Sequence, residues 1–291
     1  MRDINCVGLV GLDTLGAGIA VVLAASGRSV IVVEADQPRL DAGRAALETA
    51  YDVTAGRTAG TAADREATLG RVVGTTDVAR LAAVDLVVES VAEDLLTKKE
   101  ALAQVVATVG GHVPIVSSTS AFSITQLAAD LPSPGRFAGL HFFHPAAAPR
   151  TVEVVRGLET ADDTVDDLVS FVSTLGGKEA VVVKDHPGFL VNSMLVPYLN
   201  DVVQALDDEL ASAEDLDLAL KLGLGYKLGP LELLDTVGLD VHLQKTSALH
   251  AATGDARYVP PPLLRRMVAA GRFGAKNGRG FRIDDPRKDD A

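Results

Sequence analysis

Short apolar runs alternate with longer segments of helical periodicity through the first two thirds of the chain. Ile4–Val10, Ser29–Glu34, Asp85–Glu89, Pro114–Ser117, Arg136–His141, Thr151–Val155 and Lys178–Val183 read as strands. They are rich in Val and Ile and too short for helices. Between them, Leu15–Ser26, Arg39–Tyr51 and Asp94–Val109 carry the helical pattern. Strands apolar on both faces, joined by helices, imply a doubly wound parallel sheet of the α/β class. Thr54–Ala63 is rich in small residues and reads as a mobile loop between the second and third strands.

The pattern changes at His186-Pro187-Gly188, after which no strand is evident. Phe189–Leu210 reads as one long helix, Ser212-x-x-Asp215 as a helix N-cap, Gly229-Pro230 as another helix start, and Leu263–Ala270 as a short basic helix after three prolines. The expected division is therefore a sheet domain, 1–184, followed by an all-helical domain, 185–291, with a frayed tail from Asp284.

Charge and cysteine content narrow the function classes. Acidic residues outnumber basic ones 39 to 27, which leaves no general field for phosphate backbones and argues against nucleic-acid binding. The single cysteine, Cys6, excludes an internal disulfide framework and a cysteine-built zinc site. No apolar run reaches the ~20 residues of a spanning helix, and the first residues lack the shape of a signal peptide. A cytoplasmic protein is expected.

The first strand runs into Gly11-Leu12-Asp13-Thr14-Leu15-Gly16 at the start of a helix. In a strand–turn–helix setting this pattern offers free N–H groups and a positive helix end to a pyrophosphate. Glu34 ends the second strand, where a carboxylate can accept the ribose hydroxyls of NAD and repel the 2′-phosphate of NADP. The fingerprint is incomplete, because Asp13 stands where a second glycine normally lets backbone approach the phosphates. A carboxylate against the pyrophosphate is expected to weaken NAD binding.

Further motifs follow in order: DLVVESVAEDLLTKK at Asp85–Lys99, SSTSAFSIT at Ser117–Thr125, GLHFFHP at Gly139–Pro145, VEVVRG at Val152–Gly157, KDHPGFLVN at Lys184–Asn192, GPLELL at Gly229–Leu234 and KNGRGF at Lys276–Phe281. Together they resemble the L-3-hydroxyacyl-CoA dehydrogenase family, close to its bacterial 3-hydroxybutyryl-CoA members, over essentially the whole chain. The resemblance implies a Rossmann-like NAD-binding domain and a helical domain that binds acyl-CoA substrate and forms a homodimer.

Oxidation of a secondary alcohol needs a base beside the carbon that loses hydride. His141, at the end of a predicted strand, suits that role, because an imidazole titrates near neutral pH. The resemblance makes His141 the base and Glu153 its partner, which fixes the tautomer and stabilises the imidazolium. It places Ser120 against substrate oxygen and nicotinamide, and makes Asn192 a donor to the substrate oxygen or carbonyl. Taken without the resemblance, Ser118, Thr119 or Ser120 is a candidate N-cap for a turn starting near Ser123, and Lys98 reads as part of a solvated helix face with Lys99 and Glu100. The resemblance instead puts Glu93, Lys98, Ser120, His144 and Lys276 at the cofactor, beside the loop Gly11, Leu12, Asp13, Thr14, Leu15 and Gly16.

Three positions depart from the family pattern: Asp13 for glycine, Ser118 for asparagine and His144 for asparagine. No third ligand accompanies His141 and His144, so no metal site is expected. Alternative readings keep the chemistry on a carrier-protein-bound hydroxyacyl group or a free hydroxy acid, or take the chain as a non-catalytic relative with impaired NAD binding. A basic patch near Arg44, Arg57 and Arg65 would favour a phosphorylated carrier.

Overall fold

In the computed structural model, residues 3–58 and 61–283 are described. The chain divides into two compact units, Met1–Phe189 and Leu190–Ala291. The expected tail from Asp284 lies outside the described residues.

The first unit is built on one sheet of eight strands in the order β3-β2-β1-β4-β5-β6-β7-β8. The strands are β1 (Cys6–Val10), β2 (Ser29–Val33), β3 (Val72–Thr75), β4 (Leu86–Glu89), β5 (Ile115–Ser117), β6 (Phe137–Phe142), β7 (Thr151–Arg156) and β8 (Glu179–Lys184). Helices α1 (Thr14–Ala25), α2 (Gln37–Thr58), α3 (Ala62–Leu69), α4 (Leu95–Val109), α5 (Ile124–Ala128) and α6 (Asp162–Ser173) connect or flank them. Successive strand residues divide between two apolar cores: Val88, Val116, Leu140 and Val154 pack into one, Val87, Ile115, Phe137 and Val155 into the other. That division is the physical basis of a doubly wound sheet, since each fully buried Val or Leu contributes about 1.5–3 kcal/mol and neither face can be left wet.

The sheet is parallel, as the sequence implies, at every pair but one. β7 runs antiparallel to β6, with His141 opposite Glu153 in the register. The link from Phe142 to Thr151 is short, and a parallel return needs a crossover of a dozen or more residues. Two small elements also escaped the sequence reading. β3 has only four residues, two of them Gly74 and Thr75, and α3 precedes it.

The expected loop Thr54–Ala63 is largely helical. α2 continues to Thr58 and α3 begins at Ala62, while residues 59 and 60 lie outside the description. Leu40, Leu47 and Tyr51 bury one stripe of α2 against the core. Thr61 and Asp64 form a reciprocal capping box that starts α3.

The second unit is helical: α7 (Val191–Asp207), α8 (Ala213–Leu224), α9 (Pro230–Val237), α10 (Leu239–Thr253) and α11 (Pro262–Ala269). α7 starts after a turn in which Gly188 and Phe189 both take positive φ, 78° and 51°, so the expected helix from Phe189 begins two residues late. Ser212 caps α8 by accepting from Asp215 N–H at 3.1 Å. Among the described residues no helix is long and apolar enough to cross a membrane.

Candidate active site

The switch point of the sheet lies at β1, whose neighbours β2 and β4 are reached by connections running in opposite directions. Ligands of such folds bind there, beyond the carboxyl ends of the strands. The β1–α1 turn is tight for a steric reason. Gly11 has φ 98°, and a Cβ on it would fall 2.4 Å from the Ser90 carbonyl oxygen. A Cβ on Gly16 would fall 2.4 Å from the Gly11 carbonyl oxygen. Leu12 N–H donates to Glu34 Oε1, which ties the loop to the end of β2 and leaves the half-buried Glu34 carboxylate facing the turn.

Asp13 does not behave as a simple obstruction. It is the N-cap of α1, and its Oδ1 accepts from Gly16 N–H at 2.9 Å. The carboxylate is folded back on the first turn of its own helix, where the dipole favours it. Thr14 and Leu15 N–H have no partner among the described residues. The turn therefore retains two open donors for a pyrophosphate, and these residues fit the phosphate end of a dinucleotide.

A buried ionic chain runs beside this turn. Lys98, 1% exposed, contacts Glu89 Oε1 at 2.9 Å and Glu93 Oε2 at 3.1 Å. It is not part of a solvated helix face, because both carboxylates compensate its desolvation. Glu93 also accepts from Thr119 Oγ1 at 2.6 Å and from the N–H groups of Ser120 and Ala121 at 2.9 and 3.0 Å. Burial opposes the Glu93 charge, but Lys98 and the hydrogen bonds from Thr119 and Ser120 outweigh it and hold the carboxyl below its ordinary value. This fixes the Ser120 segment. Ser123, not its predecessors, caps α5 by accepting from Gln126 N–H at 3.1 Å. The Ser120 side chain is exposed and has no partner among the described residues. Ser118 is buried, its hydroxyl 3.1 Å from Ser90 Oγ.

His141 and Glu153 meet across the antiparallel β6–β7 pair, on the sheet face that also carries Glu89 and Ser117. Nδ1 lies 2.6 Å from Glu153 Oε2. The imidazole is 4% exposed and the carboxylate fully buried. Phe143 packs edge-on at 4.7 Å and Phe189 lies at 5.4 Å, ring centre to ring centre. A carboxylate there accepts Nδ1–H and leaves Nε2 as the acceptor; Nε2 has no partner among the described residues. His144 is exposed beyond the strand.

The remaining predicted residues belong to the second unit, where each has its own partner on α10. Asn192, 4% exposed, accepts on Oδ1 from Lys245 Nζ at 3.4 Å. Lys276 is paired with both Asp240 oxygens at 2.8 Å. Of the arginines whose clustering would favour a phosphorylated carrier, Arg44 pairs with Asp41 and Arg65 with Glu48 and Asp52, while the Arg57 side chain lies outside the described residues. Among the described residues no cluster of ligating side chains suits a metal. Sequence reasoning missed Glu89 and Thr119, which hold Lys98 and Glu93. The one available signal was a glutamate closing an otherwise apolar strand, where burial demands a cationic partner.

Comparison with known proteins gives the family. Residues 6–186 match the 3-hydroxyacyl-CoA dehydrogenase NAD binding domain, and residues 188–283 match the C-terminal domain of the same enzymes. The chain belongs to the 3-hydroxyacyl-CoA dehydrogenase family, and is thus an NAD-dependent oxidoreductase acting on a CH–OH group. A probable 3-hydroxybutyryl-CoA dehydrogenase of Deinococcus radiodurans is 38% identical over 94% of this chain and 98% of its own. The mitochondrial hydroxyacyl-coenzyme A dehydrogenase of Sus scrofa is 39% identical over 94% of this chain and 90% of its own. Among solved structures, (S)-3-hydroxybutyryl-CoA dehydrogenase from Ralstonia eutropha superposes with a TM-score of 0.89 at 38% identity, covering 97% of this chain and all of the other.

Proposed function

We propose that this protein oxidises short-chain L-3-hydroxyacyl-CoA to the 3-oxoacyl-CoA, reversibly, with His141 as the general base. The buried His141–Glu153 pair carries the reading, since its 2.6 Å contact leaves Nε2 free to take the proton of a hydroxyl. NAD, when bound, accepts the hydride from the same carbon. Glu153 holds the tautomer and offsets the imidazolium charge as it forms. The Ser120 hydroxyl and the Asn192 amide donate to the substrate oxygen. Phe143 and Phe189 keep the imidazole from bulk water on two sides.

On the cofactor side, Thr14 and Leu15 N–H hold the pyrophosphate, Glu34 the adenosine ribose, and Glu93 with Lys98 orders the Ser120 segment; Gly11, Leu12, Gly16, His144 and Lys276 complete the binding set. The Glu34 carboxylate disfavours a 2′-phosphate, so NAD is used over NADP. The open donors of the turn and the intact His–Glu pair count against a non-catalytic relative. The names of relatives favour a four-carbon acyl group on CoA, with a place in fatty acid metabolism.

We also infer a cytoplasmic homodimer formed through the helical unit. Within the apolar stretches 189–206 and 231–239, Val196, Leu199, Val203, Leu231, Leu234 and Leu239 are buried inside the unit. Leu218, Leu222 and Leu224 on α8 remain exposed at 54%, 77% and 59%, together with Leu210 at 74%.

The test is oxidation of NADH in the presence of acetoacetyl-CoA, longer 3-oxoacyl-CoA esters and free acetoacetate. Turnover highest with acetoacetyl-CoA supports the proposal. Preference for the free acid, or no turnover with any CoA ester, contradicts it.

A further inference from the structure

α7 and α10 meet along a polar seam. Asn192 and Asn200 lie two turns apart on α7, and His242, Lys245 and Thr246 line α10. Most of the seam closes on itself. His242 Nε2 lies 3.0 Å from Asn200 Oδ1, Asn200 Nδ2 donates to Thr246 Oγ1 at 2.8 Å, and Thr246 Oγ1 donates to the Tyr258 carbonyl at 2.9 Å. Lys245 is the exception. Its ammonium meets no carboxylate among the described residues, and its one hydrogen bond goes to Asn192 Oδ1 at 3.4 Å. Burial pulls its pKa below the ordinary lysine value. The neighbouring His242 is neutral at pH 7, so it neither competes for nor neutralises that charge.

A partly desolvated cation without a counter-ion costs stability. Its effect on Asn192 is specific. An ammonium has donors only, so Asn192 must turn Oδ1 toward it and keep Nδ2 as the free donor end. Nδ2 has no other partner among the described residues. We infer that Lys245 is a positioning residue of the dehydrogenase: it fixes the Asn192 amide with its N–H donors toward the substrate oxygen. The inference rests on the reading that Asn192 donates to substrate. With Lys245 in place the amide has one useful orientation. Without it both flips are open, and the flipped form sets a carbonyl oxygen against the substrate oxygen. Because that repulsion grows as charge develops on the oxygen during reduction, the loss falls on kcat more than on KM.

The experiment is a double-mutant cycle in the full chain, with acetoacetyl-CoA and NADH, on Lys245→Met and Asn192→Ala. Lys245→Met is expected to lower kcat at least tenfold with KM for acetoacetyl-CoA within threefold, and to leave the melting temperature unchanged or raised. Asn192→Ala added to Lys245→Met should cause little further loss. Lys245→Gln, which retains an N–H donor, should recover part of kcat; this variant also stands in should the methionine fail to fold. Additive losses, or wild-type kcat in Lys245→Met with Asn192→Ala impaired, overturn the inference and leave the role of Asn192 standing. Wild-type kcat in Asn192→Ala overturns both.

Discussion

Asp13 shows how one residue serves two opposed demands. As N-cap it satisfies Gly16 N–H and suits the positive helix end. As an anion it stands at the helix end proposed to meet a second anion. A carboxylate ~4 Å from a phosphate charge is repelled by about 1 kcal/mol in water and about 4 kcal/mol at an effective dielectric of 20. Asp13→Gly should therefore tighten NAD binding by about tenfold at low salt, with the gain shrinking as salt screens it. Stability should fall by only a few tenths of a kcal/mol, because glycine is itself a tolerable N-cap. Calorimetric titration at two ionic strengths and a thermal melt check both halves. The same residue marks a limit of sequence reading. The missing glycine was visible in the motif, but the direction of its side chain depended on a hydrogen bond three residues away. Lys98 is a second case: charge patterning put it on a wet face, and only the fold revealed Glu89 behind it.

At the scale of elements, long periodic segments were legible and short ones were not. β1, β2 and α4 follow from their apolar runs, whereas the four-residue β3 has no pattern long enough to detect. The antiparallel β6–β7 pair carries no periodic signature, yet it sets His141 opposite Glu153. α10 yields a test of buried polarity. Burial, aided by Lys245, pulls His242 from 6.5 to about 4. The unfolded chain takes up this proton as pH falls below 6.5, and the folded chain does not until about 4. Stability is thus full above 6.5 and declines toward 4, by a total of the order of 3 kcal/mol. In urea denaturation, the wild type should lose more between pH 7 and pH 5 than His242→Gln, whose amide keeps a donor for Asn200. Equal losses would show that His242 does not carry the effect.

For the whole molecule, the two-part organisation was readable because the strand signal stops at His186-Pro187-Gly188, and the structure places its own division after Phe189. The surface proposed to pair the helical units was less readable, since apolar helix faces predict burial without saying against what. Leu222, 77% exposed on α8, is the sharpest probe. Light scattering at micromolar concentration should give a dimer for the wild type and a monomer for Leu222→Glu, because a charge buried in an apolar interface is strongly unfavourable. A monomeric wild type would contradict the proposal, as would a dimeric variant. The proposed chemistry turns on His141. The most direct measurement is kcat for acetoacetyl-CoA reduction by His141→Gln, alongside NADH affinity and the melting temperature of the same preparation. The proposed mechanism predicts a fall of ~10²–10⁴ in kcat, with NADH binding and fold intact; a purified, folded His141→Gln enzyme that turns over within a few-fold of wild type would contradict it.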